Sequence, residues 1–161
     1  MKEIQQLIQS EARLLDQVKL DEWLDLFTQD ARYWIPMDEN ADPLKDSSII
    51  YDDIPRLKMR VDQIIRQNRV AQQPASQTLR MISNIDIIHS ENAETAEATF
   101  AMLLMEMRSG DWRQRGLGQL NHYPAHCSAS FEKEGGQWKI SKKIIRLLNR
   151  HQPIFGLSFL M

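Results

Sequence analysis

Asp52 and Asp53 stand side by side in SIIYDDIPRLKMR (48–60), between Tyr51 and Arg56. Two carboxylates beside a phenol and a guanidinium are a set that acid–base chemistry uses. Adjacent residues point in different directions on a helix, however, so the pair is poorly placed to share a proton or flank one substrate. A carboxylate just ahead of a helix accepts the orphan amide protons of the first turn and favours the positive end of the dipole. Pro55 suits that first turn, where its missing N–H costs nothing. The pattern predicts Asp53 as a helix cap and leaves Tyr51 and Asp52 free to face a partner.

The remaining reactive side chains are few. His122 and His126 in HYPAH have the spacing of a helical metal pair, but Pro124 lies between them and the surroundings alternate like a strand. On a strand they share a face roughly 13 Å apart, too far for one ion. Cys127 follows His126 directly, so on a strand the two side chains point to opposite faces, and a small core thiol is expected rather than a nucleophile. The glycines of GLG and GG lack the strand–loop–helix setting of a phosphate cradle and read as bends and turns. Trp112, Arg113 and Arg115 in GDWRQRG form a hairpin tip suited to solvent or to a partner.

The elements that must position these groups change character along the chain. Ile4, Leu7, Ile8, Leu14, Leu15 and Val18 recur at helical spacing, and Leu20, Trp23, Leu24 and Phe27 fit a second short helix with Asp21 at its start. ARYWIPM predicts a short strand near 31–36, and DENADPLKDSS a loop. Leu57, Val61, Ile64 and Ile65 share one face of a third helix, so helices are expected over about 3–70. TLRMISNIDIIHS then alternates, with Leu79, Met81, Ile85 and Ile87 on one face and Arg80, Asn84 and Asp86 on the other. ATFAMLLMEMR is apolar at both parities and predicts a strand covered on both faces. With GLGQLNHYPAHCSASF and QWKISKKIIRLL, strands are expected over about 76–150. Helices followed by a run of antiparallel strands argue one α+β domain over 1–161, its helices packed on one face of a curved sheet. The tail HQPIFGLSFLM (151–161) needs cover for Ile154, Phe155, Leu157, Phe159, Leu160 and Met161, from this domain or another subunit.

Bulk properties narrow the function classes. At 161 residues, 42% hydrophobic and 26% charged, the chain is the size and composition of an ordinary globular domain. A net charge of -2 without a basic run argues against nucleic acid as partner. A single cysteine excludes an internal disulfide, no apolar run reaches the roughly 20 residues of a membrane span, and MKEIQQLIQSEARLLD is too charged for a secretory signal. A cytoplasmic location with no membrane partner is expected.

EARLLDQVKLDEWLDLFTQDARYWIPM, IIYDDIPRLKMRV, QPASQTLRMISNI and the closing W-K-I…L–S–F together resemble, in order and over essentially the whole chain, the small (β) subunit of aromatic-ring-hydroxylating dioxygenases, which are Rieske-type non-haem iron oxygenases. The resemblance implies a nuclear-transport-factor-2-like cone, a curved mixed sheet with helices at its side. It implies assembly with a catalytic α subunit, commonly as α3β3 with β–β contacts, and an indirect link to a ferredoxin or reductase. The Rieske [2Fe–2S] cluster and the mononuclear Fe(II) are then expected in the α subunit. The donor set agrees: a Rieske centre needs two cysteines and two histidines, and this chain has only Cys127. No catalytic, cofactor or metal site is expected here. The short DENADPLKD loop is more similar to small subunits of benzoate-, anthranilate- or salicylate-type oxygenases than to those for biphenyl or naphthalene. Tyr51, Asp52, Arg56, Arg80, Trp112, Arg113, Phe155 and Phe159 are the expected partner contacts. The same fold class hosts stand-alone isomerases and dehydratases, and on that alternative Asp30, Tyr33, His89 and His122 would converge as acid and base in an apolar pocket. A pure dimerisation module is the third reading.

Overall fold

Ile4, Ile8, Ala12 and Leu15 recur at the helical period and are all buried, so the chain opens with helix α1, Lys2–Asp16, laid by that stripe onto the sheet. The computed structural model describes residues 2–66, 75–89, 93–111, 113, 117–152 and 159–161. Val18 follows α1 in the left-handed region (φ 56°) and is exposed, so the helical pattern stops short of it. Helix α2, Leu20–Leu24, buries Leu20 and Trp23. Its N-cap is Lys19 rather than Asp21, which lies inside the first turn, where an acid still favours the dipole. Phe27 is not helical; it begins strand β1, Phe27–Pro36, longer than the strand expected near 31–36. A second strand lies within the stretch expected to be helical apart from 31–36: β2, Ser48–Asp53, pairs antiparallel with β1.

Helix α3, Ile54–Ile65, starts as the DD pair predicts. Asp53 caps it, accepting the Arg56 N–H at 3.0 Å, with Pro55 in the first turn. Asp52, however, is not free. It points inward, is buried, and its carboxylate takes the Arg60 guanidinium one and a half turns into α3. Alternation along β2 forces this outcome, because if Asp53 caps outward then Asp52 must face the core side. Among the described residues the helices stop at Ile65.

Four long strands follow: β3 Gln77–His89, β4 Thr95–Met107, β5 Leu120–Glu134 and β6 Gln137–Leu147. The sheet order is β2-β1-β6-β5-β4-β3, with only the β1–β6 pair parallel. The β5–β6 hairpin turns on Gly135 and Gly136, both at positive φ, the conformation a two-residue hairpin loop requires. The helices and the inward residues of all six strands enclose one core on the concave side of a curved, unclosed sheet.

The expected faces of β3 are wrong. The register shifts between Ser83 and Asp86 around Asn84, which has a positive φ of 52°. Such a bulge inserts a residue and reverses parity. Ile85 and Ile87 therefore pack on the core, while Leu79 and Met81, on the other side of the bulge, are 56% and 58% exposed. Arg80 takes the inward position. On β4 the inward residues Phe100, Met102 and Leu104 are buried, and the outward Leu103 and Met105 are covered only in part.

The two aspartates should separate in a stability measurement. Asp53→Ala removes a cap and is expected to cost about 1 kcal/mol. Asp52→Ala removes a buried charge-assisted pair and is expected to cost roughly 1.5–3 kcal/mol. Urea unfolding of the isolated chain followed by circular dichroism reads both; a cost for Asp52→Ala no larger than for Asp53→Ala would refute the assignment.

Candidate functional site

The interior of the cone is where a stand-alone enzyme of this fold class would hold its ligand, and it is unusually polar at its centre. Glu11 sits three residues after Ile8 and four before Leu15, on the apolar stripe of α1. Lys143 shares its parity on β6 with the buried Ile145 and Leu147. Both are therefore driven inward by their own elements, and they meet: Lys143 Nζ donates to Glu11 Oε1 at 2.6 Å, with the two side chains 3% and 4% exposed. Trp23 Nε1 donates to the same oxygen at 3.3 Å. A buried charge is tolerated only when paired in this way. Neither residue stands out in the sequence as a reactive side chain. The signal that would have found them is a charge on the apolar parity of an amphipathic element.

A second group lies where the end of α1 meets the start of β3. Asp16, the last residue of α1, accepts from Thr78 Oγ1 at 3.1 Å, from the Arg80 backbone N–H at 2.9 Å and from the Arg80 guanidinium. The other arm of that guanidinium donates to the carbonyl of Leu160, and the Tyr33 hydroxyl donates to the carbonyl of Met161. Leu160 and Met161 are buried in the core, so this domain itself covers the end of the tail. Ile154, Phe155 and Leu157 lie outside the described residues. Trp23, Phe27 and Tyr33 pack edge to face with centroids 4.8–6.5 Å apart in the core.

Electrostatics leave little chemistry for this interior. Burial pushes the Tyr33 phenol well above its ordinary range, with Glu11 adding to the effect. Burial likewise raises the Cys127 thiol to about 12, so it is neither thiolate nor nucleophile at neutral pH. Desolvation lowers the Arg80 pKa, and the adjacent Asp16 opposes that shift. Glu11, Lys143 and Tyr33 each already hold a partner inside the protein.

The alternative acid–base set does not assemble. Tyr33 is buried in the core, whereas Asp30 is exposed on β1, accepting only from Thr28 at 2.9 Å through its side chain. His122 is exposed on the opposite face of the sheet. The His89 side chain lies outside the described residues. Strand parity is the reason: Asp30 and His122 occupy outward positions, and Tyr33 an inward one. His126 is exposed beside His122 on the outer face while Cys127 points into the core, as the alternation predicts. Among the described residues no group of three His, Cys, Asp or Glu is placed to hold a metal ion.

The expected partner contacts divide into two kinds. Tyr51 is half-buried, packed at 6.1 Å against Trp34, and Arg56 is exposed, its guanidinium reaching the Tyr51 carbonyl at 3.3 Å. Arg113 is exposed and paired with Asp111 at 3.1 Å; Phe159 is half-buried against Tyr123. These four reach the surface. Asp52 and Arg80 do not, since each is buried in an ion pair within the domain. Trp112, Arg115 and Phe155 lie outside the described residues.

Burial of Tyr33 and Cys127 fixes the sign of the alkaline response. Each has a folded pKa raised above its unfolded value, so each contributes stability that is complete below the unfolded pKa and is lost as pH rises toward the folded one. For Cys127 that window runs from 9.0 to about 12. Unfolding midpoints in urea should fall between pH 9 and 11, and Cys127→Ala with Tyr33→Phe should flatten the fall; an equal slope in the double variant would rule this origin out.

Residues 10–152 match the family model described as ring hydroxylating beta subunit. The small oxygenase component of the p-cumate 2,3-dioxygenase system of Pseudomonas putida is 36% identical over 144 residues, covering 88% of this chain and 75% of that protein. The crystal structure of the benzoate 1,2-dioxygenase β subunit from Burkholderia mallei superposes with a TM-score of 0.77 at 23% identity, over 99% of this chain and 97% of that one. An NTF2-like protein with a cystatin-like fold from Novosphingobium aromaticivorans superposes at 0.62 with 13% identity, over 92% and 81%, which shows the cone fold alone. With the family model spanning most of its length and a relative above a third identical, this chain belongs to the ring-hydroxylating dioxygenase β-subunit family.

Proposed function

We propose that this chain is the non-catalytic small subunit of the terminal oxygenase of an aromatic-acid dioxygenase, working in the cytoplasm. Its partner is a large α subunit that carries the Rieske [2Fe–2S] cluster and the mononuclear Fe(II), three of each subunit forming the complex, and ferredoxin or reductase reaches it only through that partner. The observation that carries the reading is the family match over residues 10–152. The aromatic-acid preference is supported by relatives named for p-cumate and benzoate. The donor inventory supports the division of labour, since one buried cysteine does not fit a Rieske centre.

On this reading the chain acts on rate through geometry. A domain with the buried Glu11–Lys143 pair and a core that encloses Leu160 and Met161 suits a rigid platform. Rigid platforms hold redox centres in register, and small displacements of reacting groups are costly in rate. Tyr51, Arg56, Arg113 and Phe159 are the proposed contacts with the large subunit, with Asp52 and Arg80 supporting them from within.

Co-expression with the large-subunit gene tests the assignment. Aromatic-acid oxidation should require both chains, with iron found by elemental analysis in the large subunit and none in this chain purified alone. Turnover or stoichiometric iron in the lone chain would overturn the reading. Arg56→Glu should reduce co-purification of the large subunit several-fold while leaving the melting temperature of the lone chain within about 1 °C, as expected for an exposed position.

A further inference from the structure

A cavity of about 120 Å³ lies where the end of α1, α2, α3 and the start of β3 meet the end of the tail. Leu15, Leu20, Ile64, Phe159 and Leu160 supply its apolar wall. Ser76, Thr78 and Arg80 are its polar lining. An apolar cavity of roughly 150 Å³ stays dry and takes up benzene, so this one has room for a single small ring.

The polar lining is occupied by its own hydrogen bonds, with one exception. Ser76 Oγ donates to Glu106 at 2.6 Å, and Thr78 Oγ1 donates to Asp16 at 3.1 Å while accepting from Arg80 Nη1 at 3.0 Å. Arg80 Nη1 also donates to Asp16, and Nη2 to the Leu160 carbonyl. Arg80 Nε has no hydrogen-bond partner among the described residues, although the side chain is only 2% exposed. Thr78 and Leu160, which hold the other two nitrogens, both line the cavity, so the guanidinium borders it. A buried donor without an acceptor is destabilising, and one left over in an otherwise satisfied network points to a group that binds there.

We infer that this cavity is a binding site for a small, neutral, one-ring molecule whose carbonyl or hydroxyl oxygen accepts from Arg80 Nε. The protein group fixes what the ligand must offer, since a guanidinium N–H donates and does not accept, and an ammonium is thereby excluded. Asp16 already neutralises the guanidinium, so a carboxylate would bring an unpaired charge against an apolar wall. The aromatic acids proposed as substrates of the complex are therefore poor ligands here. An occupant completes the hydrogen bonds of the guanidinium where α1, β3 and the tail are joined, so it stabilises the fold by mass action. The site goes beyond the assembly role and does not depend on it.

Three probes sharing one ring decide it: 4-fluorophenol, fluorobenzene and 4-fluorobenzoate, titrated into the full chain and followed by fluorine NMR and thermal melting. 4-Fluorophenol should bind about tenfold more tightly than fluorobenzene, as expected for one hydrogen bond to a charged donor. It should also raise the melting temperature as its concentration rises. 4-Fluorobenzoate at the same concentrations should not bind. A crystal soaked with 4-fluorophenol should show the ring between Leu20, Ile64 and Phe159, with its oxygen on Arg80 Nε. An ordered water alone on Nε, equal affinity for fluorobenzene and 4-fluorophenol, or tightest binding by the benzoate would each overturn the inference. Ile64→Phe, which fills the cavity from α3, should abolish binding without lowering the melting temperature; undiminished binding in that variant puts the site elsewhere and counts against the proposal. The probe series on the parent chain needs no variant, so it decides the question even where Ile64→Phe fails to fold.

Discussion

Asp16 and Arg80 form the interaction on which the arrangement depends. The last residue of the first helix reaches an edge strand and accepts both its backbone N–H and its guanidinium, while the other arm of that guanidinium holds the carbonyl of Leu160. Three distant parts of the chain, α1, the start of β3 and the last two residues, are thereby joined at one ion pair. An edge strand needs cover for its unpaired backbone groups, and part of that cover here is a carboxylate. Arg80 is buried and Asp16 half-buried, so loss of Asp16 would strand the guanidinium charge in the core.

The second buried pair, Glu11 with Lys143, does the corresponding work at the middle of the sheet. Buried ion pairs contribute less net stability than apolar packing of the same volume, but they tolerate few alternative arrangements. Two of them, with the Trp23–Phe27–Tyr33 cluster between, position the helices on the sheet. An interior organised in this way is consumed by its own structure. The family to which the chain belongs is that of ring-hydroxylating dioxygenase β subunits.

On the proposed reading, this chain works through the outside of the cone. Leu160 and Met161 fill the core on the concave side of the sheet. What remains open is the outer sheet face, the β1–β2 connection and the start of α3. The first two carry exposed apolar groups that are costly in a lone domain, Leu79, Met81 and Leu44.

Much of this was determined by sequence alone. The helical stripe of α1, the Asp53–Pro55 start of α3, the opposite pointing of His126 and Cys127, and the lack of a Rieske donor set follow from period, capping chemistry and composition, which are local. The family resemblance was legible for the same reason, in segments that keep their order along the chain. Three things required the tertiary structure. The bulge at Asn84 reversed the face of β3, because a single inserted residue changes parity and leaves no mark in the alternation of apolar residues. A charge in a strand is ordinarily exposed, so the sequence alone points Asp52 and Arg80 outward, and only their partners Arg60 and Asp16 permit their burial. The pairing of Glu11 with Lys143 spans 132 residues of chain, a distance over which no local pattern carries information, and only the packing of helix on sheet decided it.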